Sequence, residues 1–372
     1  MAFWIVYSLI AVLCILLTGL PLVGYCDCAE WVKISVYAFL FVAWFSPMLI
    51  WNWQTNKNIP LKIYSLIAKA GYFLEGFAFL LMMVLLIRDA LWWGIYYLSS
   101  GLIIVSPLKD NIVADINLIT VAIVFVASVY GVFVAEKNPK ILHHAFIDKR
   151  IKRPLKILVA SDLHITKTVS PEKVKAWVKI FNDIKADAIL FAGDVADDLA
   201  GDIKRQIREL KKIKAPLGIF YVLGNHETYF NPYVWEAEFS ALGWQVLHNS
   251  GTSIENCGVY VAGVPDNRAF RVNIGQSVKN AKNEYTVLIS HTPNVASQIG
   301  DNKIDLLVCG HTHGGQIFPF NWLTKLGNSG MVAGLYDFGG TKVLVSRGVG
   351  YWGPPIRLGA PGDVILLDLR PK

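Results

Sequence analysis

Hydrophobic residues run almost without interruption through the first third of the chain. Four stretches carry no charged side chain, and they are residues 1–26, 34–56, 90–108 and 116–135. A helix needs about 20 apolar residues to cross a bilayer, so each stretch predicts a membrane-spanning helix. Residues 63–87 predict a fifth, although they contain Lys69 and Glu75. The pattern therefore predicts five spans, or four if residues 90–108 form only a re-entrant segment.

From residue 155 the pattern changes to short β-branched and apolar runs bounded by Gly, Asp and Asn. Such runs predict buried strands, here at residues 155–161, 187–193, 218–224, 259–264, 285–290, 304–310 and 342–346. Apolar residues recur at helical spacing over residues 171–184 and 200–213. Buried strands covered by helices predict an α/β fold for this part of the chain.

The composition indicates that the two parts occupy different solvents. Of the 372 residues, 54% are hydrophobic and only 17% are charged, and the mean hydropathy is +0.42. A soluble globular chain carries about 25% charged residues, so this average favours a membrane protein and excludes a disordered one. Five cysteines without regular spacing exclude a disulfide scaffold.

The net charge of +7 is concentrated in one short segment. Residues 1–135 have a net charge of zero, residues 136–156 one of +5, and residues 157–372 one of +2. This distribution argues against a nucleic-acid-binding face. We predict a transmembrane region of about five helices at 1–135, a basic juxtamembrane collar at 136–154 and a catalytic domain at 155–372.

Basic residues beside membrane spans accumulate on the cytoplasmic side. Residues 136–156, which include the collar, supply seven Lys or Arg directly after the last predicted span. The collar and the domain that follows it are therefore predicted to be cytoplasmic. The collar can also bind anionic lipid headgroups, which would place it at the same leaflet.

Polar residues follow strand after strand in the predicted α/β domain, at the position where open α/β sheets build their sites. They form five blocks, Asp162-x-His164, Gly193-Asp194, Gly224-Asn225-His226-Glu227, His291 and Gly310-His311-x-His313. In an extended segment the side chains of residues i and i+2 point to the same side. The side chains of Asp162 and His164 can therefore converge on one point, and so can those of His311 and His313. The glycine before three of these blocks permits a tight turn and close backbone approach.

Imidazole and carboxylate together suit Zn, Mn, Fe or Co rather than Ca. Seven ligands are about the number that two metal ions need when one carboxylate is shared. A single D-x-H or H-x-H motif more often has a structural role than a metal-binding one, but the five blocks together favour a metal site. Such a site stays positive overall, which favours an anionic substrate such as a phosphate ester and a bridging hydroxide as nucleophile. We predict two divalent ions, with Mn²⁺ the first choice and Zn²⁺ or Fe²⁺ the alternatives.

The five blocks, in this order and strand context, resemble the calcineurin-like metallophosphoesterase superfamily over residues 155–372. The resemblance implies a layered αββα sandwich. It implies that one metal is held by Asp162, His164, Asp194 and His313. It implies that the other is held by Asp194, Asn225, His291 and His311.

In this resemblance Asp194 bridges the metals, and His226 protonates or hydrogen-bonds the leaving oxygen. His226 would be positioned by its neighbourhood, including Glu227. One departure is the segment GVPDN at 263–267, where relatives tend to show paired acidic residues. That departure leaves the role of Asp266 open.

The motif GHTHGGQ and the tail SRGVGYWGPPIRLGAP are similar to a membrane-associated branch of the superfamily. That branch includes the UDP-2,3-diacylglucosamine pyrophosphatases of lipid A biosynthesis. The resemblance implies a multi-pass inner-membrane enzyme that converts UDP-2,3-diacylglucosamine to lipid X and UMP. A hydrolase with several spans also makes most sense when its substrate is itself in the bilayer.

Four residues in Gly-, Pro- and aromatic-rich loops are candidate substrate contacts. Arg347 and Arg357 could bind a phosphate bidentately, although such arginines equally often satisfy carbonyl groups. Trp322 and Trp352 could form an acyl-chain surface or simply pack within their loops.

Two other functions stay open. One is a phosphodiesterase acting on another phospholipid or on an envelope polymer, on the outer side of the membrane. The other is a metal-stabilised sensor or transporter without catalysis. Few charges within the spans disfavour transport, and the complete nucleophile set disfavours an inactive scaffold.

Overall fold

The computed structural model describes residues 2–24, 28–54, 59–99 and 110–372. The chain forms two compact units. The first, which we call the helical unit, consists of Met1–Glu136 and Gly353–Leu358. The second, the sheet unit, consists of Lys137–Trp352 and Gly359–Lys372.

The helical unit is built from long apolar helices. They are α1 (Ala2–Gly19), which a π-helical turn extends to Gly24, α2 (Glu30–Gln54), α3 (Leu61–Ser99) and α4 (Asp110–Glu136). Within the described ranges, four segments are long and apolar enough to cross a membrane, with mean hydropathies from 1.8 to 2.5. Small side chains such as Ala11, Ala43 and Ala78 lie in their buried cluster, where they allow helices to pack closely.

The separate span predicted at residues 90–108 is not seen over residues 90–99, which continue α3 without a break. Arg88 and Asp89, the two charged residues that separate the predicted spans 63–87 and 90–108, are paired within the helical unit. The Nε of Arg88 donates to Asp89 at 2.7 Å, and its Nη1 donates to Asn117 at 2.6 Å. Residues 100–109 lie outside the described part of the chain. The choice between five spans and four therefore stays a prediction.

The sheet unit contains twelve strands within the described residues. They are β1 (Lys140–Ile147), β2 (Leu155–Ala160), β3 (Ala188–Ala192), β4 (Ile219–Val222), β5 (Gln245–Val246), β6 (Ser250–Ile254), β7 (Val259–Gly263), β8 (Tyr285–Ile289), β9 (Leu306–Cys309), β10 (Gly334–Phe338), β11 (Thr341–Val345) and β12 (Asp363–Arg370). The helices among them are α5 (Pro171–Asp183), α6 (Lys204–Leu210), α7 (Asn225–Tyr229), α8 (Pro232–Ala241), α9 (Ile274–Val278) and α10 (Asn321–Gly327).

The strands form two six-stranded sheets, in the orders β1-β12-β2-β3-β4-β5 and β10-β11-β9-β8-β7-β6. In the first sheet β2, β3, β4 and β5 are parallel, and β12 runs antiparallel to β2. In the second sheet β7, β8, β9 and β11 are parallel, with β6 and β10 antiparallel at its edges. The parallel strands present their carboxyl ends at one edge of each sheet.

Apolar residues on alternate faces of the strands build three layers of core. Ile157 and Val159 of β2 lie between the two sheets, together with Val261 of β7 and Ile289 of β8. Leu158 of β2 faces the other way, toward the helices that cover the first sheet. A third cluster covers the outer face of the second sheet. These layers confirm the predicted α/β fold with an αββα sandwich.

The basic segment 136–154 contributes to the sheet. Its residues 140–147 form β1, which pairs with β12 in parallel register from Lys140–Asp363 to Ile147–Arg370. Intermediate and exposed residues alternate along β1, as in an edge strand with one partly covered face. The segment is therefore part of the sheet unit rather than a separate connection.

Candidate metal centre

The polar blocks lie where strands of both sheets end. Asp162 and His164 follow β2, Asp194 follows β3 and Asn225 begins α7 after β4. From the second sheet, His291 follows β8 and His311 follows β9. Since strands at the centre of both sheets end at this edge, residues distant in sequence come within bonding distance of one another.

One group of possible metal ligands consists of Asp162, His164 and His313, all buried. The Nε2 atoms of His164 and His313 are 3.0 Å apart, and Nε2 of His313 lies 3.5 Å from Oδ1 of Asp162. Oδ2 of Asp194 is 3.8 Å from Nε2 of His164. Asp194 therefore borders this group.

The second group consists of Asp194, His291 and His311. Nε2 of His291 lies 3.1 Å from Oδ2 of Asp194, 3.1 Å from Oδ1 of Asn225 and 3.2 Å from Nδ1 of His311. The other ring nitrogen of His291 is 2.8 Å from the carbonyl oxygen of Ala192. That contact fixes the ring with Nε2 facing the group.

His226 stands beside both groups. Its Nδ1 lies 2.7 Å from Oδ1 of Asp197, and its Nε2 lies 3.9 Å from Oδ2 of Asp194. The other carboxylate oxygen of Asp197 is 3.2 Å from Nδ1 of His164. His226 also forms a possible ligand group with His164 and Asp194, so its geometry suits either a ligand or a proton donor.

Most of the donor residues have an unusual backbone conformation. Asp162, His164, Asp194, His311 and His313 have φ values between +45° and +71°, a region that residues other than glycine rarely adopt. Such conformations persist only where the surroundings enforce them, and they cluster at functional sites. The backbone is thus bent to aim these side chains inward.

Glycines allow the loops to approach one another. A Cβ on Gly224 would lie 2.1 Å from Oδ1 of Asp194, and one on Gly310 would lie 2.3 Å from Oδ2 of Asp162. Both distances are far shorter than any real Cβ contact. The close approach that the sequence predicted before Asn225 and His311 is therefore present.

Glu227 ties the loops after β3 and β4 together. Its carboxylate is fully buried and accepts hydrogen bonds from the amides of four residues, with N···O distances between 2.7 and 3.1 Å. The donors are Asp194, Val195, Ala196 and Gly224. Glu227 therefore fixes the backbone on both sides of Asp194 without joining the donor atoms.

Burial and mutual charge strongly perturb these groups. Burial lowers the pKa of His226, but Asp197 and Asp194 outweigh it and raise that pKa to about 9. Asp194 likewise outweighs burial at His291, whose pKa rises to about 10. Burial and repulsion from His291 lower the pKa of His311 to about 3. Burial raises the pKa of Glu227 to about 7, and Asp194 adds to that rise.

The donor set fits a pair of divalent cations. Imidazole nitrogens and carboxylate oxygens converge in two adjacent groups, and Asp194 reaches both. This combination suits transition-metal ions better than Ca²⁺, which takes oxygen ligands. Buried acidic and imidazole groups so close together are costly unless they are paired or bind metal.

The predicted substrate contacts have different surroundings. The indole of Trp352 lies 5.7 Å from the ring of His226, whereas exposed Trp322 packs against Phe318. Nη1 of Arg347 is 3.1 Å from Asp363, and its stem lies beside Gly314. Arg357 is buried in the helical unit. The structure thus brings Trp352 to the donor groups.

Three residues near the donor groups were not singled out from the sequence. Asp197 binds His226 and His164, Tyr229 packs edge-on against His226, and Arg268 donates to the hydroxyl of Tyr229. A signal existed for Asp197, which comes three residues after Asp194 in the same loop. Tyr229 shares the short helix of Asn225, but no sequence pattern marks Arg268.

The chain is similar to proteins named as metallophosphoesterases. The family described as calcineurin-like phosphoesterase matches residues 155–315. A Helicobacter pylori protein named uncharacterized metallophosphoesterase is 32% identical over 250 residues, which cover 65% of this chain and 67% of that protein. A Bacillus subtilis protein of the same description is 32% identical, covering 57% of this chain and 83% of that protein.

A Bos taurus protein named transmembrane protein with metallophosphoesterase domain is 32% identical over 236 residues, which cover 58% of this chain and 53% of that protein. The family match and the buried His and Asp groups together indicate a dinuclear divalent-metal site. The chain therefore belongs to the calcineurin-like metallophosphoesterase family and is a metal-dependent phosphoesterase.

Proposed function

We propose that this phosphoesterase is a multi-pass membrane enzyme that hydrolyses a phosphate or pyrophosphate bond in a lipid-type substrate. The convergence of seven donor residues at one edge of the sheet unit is the observation that carries the chemistry. The four long apolar helices support the membrane location, as does the name of the bovine relative, a transmembrane protein with a metallophosphoesterase domain.

Asp162, His164, Asp194 and His313 would hold one cation, and Asp194, Asn225, His291 and His311 would hold the other. The bridging role of Asp194 is supported by its Oδ2, which lies 3.8 Å from Nε2 of His164 in the first group and 3.1 Å from Nε2 of His291 in the second. When bound, two divalent cations would supply Lewis acidity and an activated water. We propose Mn²⁺ as the metal, with Zn²⁺ or Fe²⁺ as alternatives.

His226 would supply the proton to the leaving oxygen. Asp197 holds Nδ1 of this ring, which leaves Nε2 to carry the proton toward the donor groups. The rings of Tyr229 and Trp352 pack against His226, which limits its rotation and its access to bulk water. The ring is thereby oriented before substrate arrives.

Trp352 supports a lipid substrate. Gln316 holds its main chain at two points, since Nε2 of Gln316 donates to the carbonyl of Trp352 at 2.9 Å and Oε1 accepts from its amide at 3.1 Å. The indole stays 57% exposed beside His226. A fixed and exposed aromatic ring at this position suits an acyl chain or another apolar group of the substrate.

Among lipid-type substrates we propose UDP-2,3-diacylglucosamine, cleaved to lipid X and UMP, as the first to test. The lipid A assignment rests on the motif resemblance and not on the relatives found. The alternative is another phospholipid or an envelope polymer, cleaved on the outer side of the membrane.

The first prediction concerns sidedness. If all four helices cross the membrane, the collar shares its side with Lys57 and Lys62, and the other side carries Lys33 and Lys109. The basic excess then places the collar and the C-terminus in the cytoplasm. A C-terminal green fluorescent protein should fluoresce, and a C-terminal alkaline phosphatase should be inactive. The reverse pattern would favour the outer-side alternative.

The second prediction concerns the metal ligands. Asp194→Ala should abolish hydrolysis of bis(p-nitrophenyl) phosphate and His311→Ala should do the same, because each removes a donor from its group. Metal content of the purified protein should fall in both variants, with membrane insertion unchanged. Asp183→Ala, on the exposed surface of α5, is the matched control. Full metal and normal turnover in either ligand variant would refute the assignment.

The third prediction separates chemistry from metal binding. His226→Ala should keep both metals and lose about 10²–10⁴-fold in rate, the usual effect of losing a general acid or base. Metal analysis and turnover of the same preparation provide the check. Loss of one metal would instead place His226 among the ligands.

The fourth prediction concerns substrate choice. Trp352→Ala and Trp322→Ala should raise KM for a diacylated nucleotide sugar, since burying each methylene contributes about 0.8 kcal/mol. Bis(p-nitrophenyl) phosphate lacks acyl chains and should be affected much less. Comparable losses on both substrates would mean that the tryptophans only hold their loops in place. Unchanged kinetics on both would remove the acyl surface from the proposal.

A further inference from the structure

We propose that Arg268 binds a second phosphoryl group next to the one that reacts, so that this site selects diphosphates over substrates with a single phosphate group. This inference rests on the proposed function, because it assigns the substrate class of the same site. It differs from the sequence expectation, which gave phosphate recognition to Arg347 and Arg357.

Arg268 lies in the loop that follows β7, and the loop is fastened to the site. The backbone amide of Arg268 donates to Oδ1 of Asp266 at 3.0 Å. Asp266 is itself buried, and its amide donates to the carbonyl of Leu223 at the end of β4 at 3.2 Å. The base of the Arg268 side chain is therefore held beside the loop that carries Asn225 and His226.

Tyr229 connects the guanidinium to the donor groups. Nη1 of Arg268 donates to the phenolic oxygen of Tyr229, and Nδ2 of Asn225 lies 3.4 Å from the same oxygen. The ring of Tyr229 stands edge-on to His226, with 5.1 Å between centroids. Arg268 is thus one side chain away from a proposed ligand and from the proposed proton donor.

The charge of Arg268 reaches the site as well. Its guanidinium carbon is 5.9 Å from the centroid of Tyr229. The guanidinium therefore adds a positive charge beside Tyr229, the residue that contacts both Asn225 and His226.

The position of Arg268 decides which oxygen it can bind. The reacting phosphoryl must lie at the two donor groups, whereas the guanidinium reaches them only through the hydroxyl of Tyr229, which lies 3.4 Å from Nδ2 of Asn225. An oxygen bound by Arg268 then belongs to the neighbouring group of the substrate. An arginine binds phosphate through a planar fork of N–H donors and stays charged at any working pH. Arg347 forms an ion pair with Asp363, whereas Arg268 is exposed and contacts a neutral phenol.

The test measures binding with two nucleotides that differ by one phosphorus group, AMP and α,β-methylene-ADP, which resists hydrolysis between its phosphorus atoms. Calorimetry on the full-length, detergent-purified, Mn²⁺-loaded protein gives both dissociation constants. The wild type should prefer the diphosphonate by about 10–100-fold, the effect of one charge-assisted hydrogen bond. Arg268→Gln should reduce that preference to about twofold or less.

Tyr229→Phe should also lower the preference, because it releases the guanidinium while keeping the ring against His226. Arg271→Gln removes another exposed arginine from the same stretch and should keep the wild-type preference. The proposal is overturned if Arg268→Gln retains the preference, or if the wild type shows none. Equal weakening of both nucleotides in Arg268→Gln would also overturn it, since the arginine would then bind the reacting phosphoryl.

Failure of the proposed function gives a different result. A wild-type protein that binds both nucleotides but hydrolyses neither bis(p-nitrophenyl) phosphate nor a diacylated nucleotide sugar would contradict the hydrolase proposal. The ratio of the two dissociation constants would still decide the role of Arg268.

Discussion

The carboxylate of Glu227 is the contact on which the geometry of the donor groups most depends. It accepts hydrogen bonds from Gly224 on its own loop and from Asp194, Val195 and Ala196 on the loop after β3. Asp194 has a left-handed backbone and reaches both donor groups. Such a conformation persists only where the surrounding contacts enforce it. The hydrogen bonds from the backbone amides of residues 194–196 to the buried carboxylate of Glu227 provide those contacts. A neutral amide at position 227 would bring an N–H group toward backbone N–H groups that need an acceptor.

The same constraint explains why the sequence predicted the donor residues well and their supports poorly. A strand followed by Asp, Asn or His is a local signal, because the strand places its last residue at the sheet edge whatever lies elsewhere. Asp197 binds two histidines that are 29 and 33 residues away, and Arg268 reaches Tyr229 across 39 residues. Contacts of that kind depend on how the loops fold over the edge of the sheets where the donor residues lie. The spacing of apolar residues along the chain does not encode that folding.

Two differences in the fold have equally physical causes. The sequence analysis did not predict the strand β1, because it lies in the basic segment 136–154. Its apolar residues Ile141 and Ile147 have lysines nearby in the sequence and remain exposed at a sheet edge. Arg88 and Asp89 interrupt the apolar run, and for that reason the sequence predicted a new span from residue 90. Arg88 pairs with Asp89 and donates to Asn117, and the helix continues through both charged residues. Charge alone therefore marks neither a linker nor a turn.

The segment after Trp352 packs tightly within the helical unit. Gly353–Leu358 belongs to the helical unit, where Pro354 and Ile356 lie so close to Gly76 that a Cβ there would be 2.6 Å from one and 2.8 Å from the other. Ile356 would similarly lie 2.5 Å from a Cβ on Gly131, whose carbonyl accepts from the amide of Arg357 at 3.0 Å.

Both glycines lie in apolar helices, and each provides room that a side chain would fill. Trp352, directly before this segment, packs against the ring of His226 and is held by Gln316. The main chain of Trp352 is thus fixed by the side-chain amide of Gln316. A side chain at Gly76 or Gly131 would instead act within the helical unit, where it would displace the segment Gly353–Leu358.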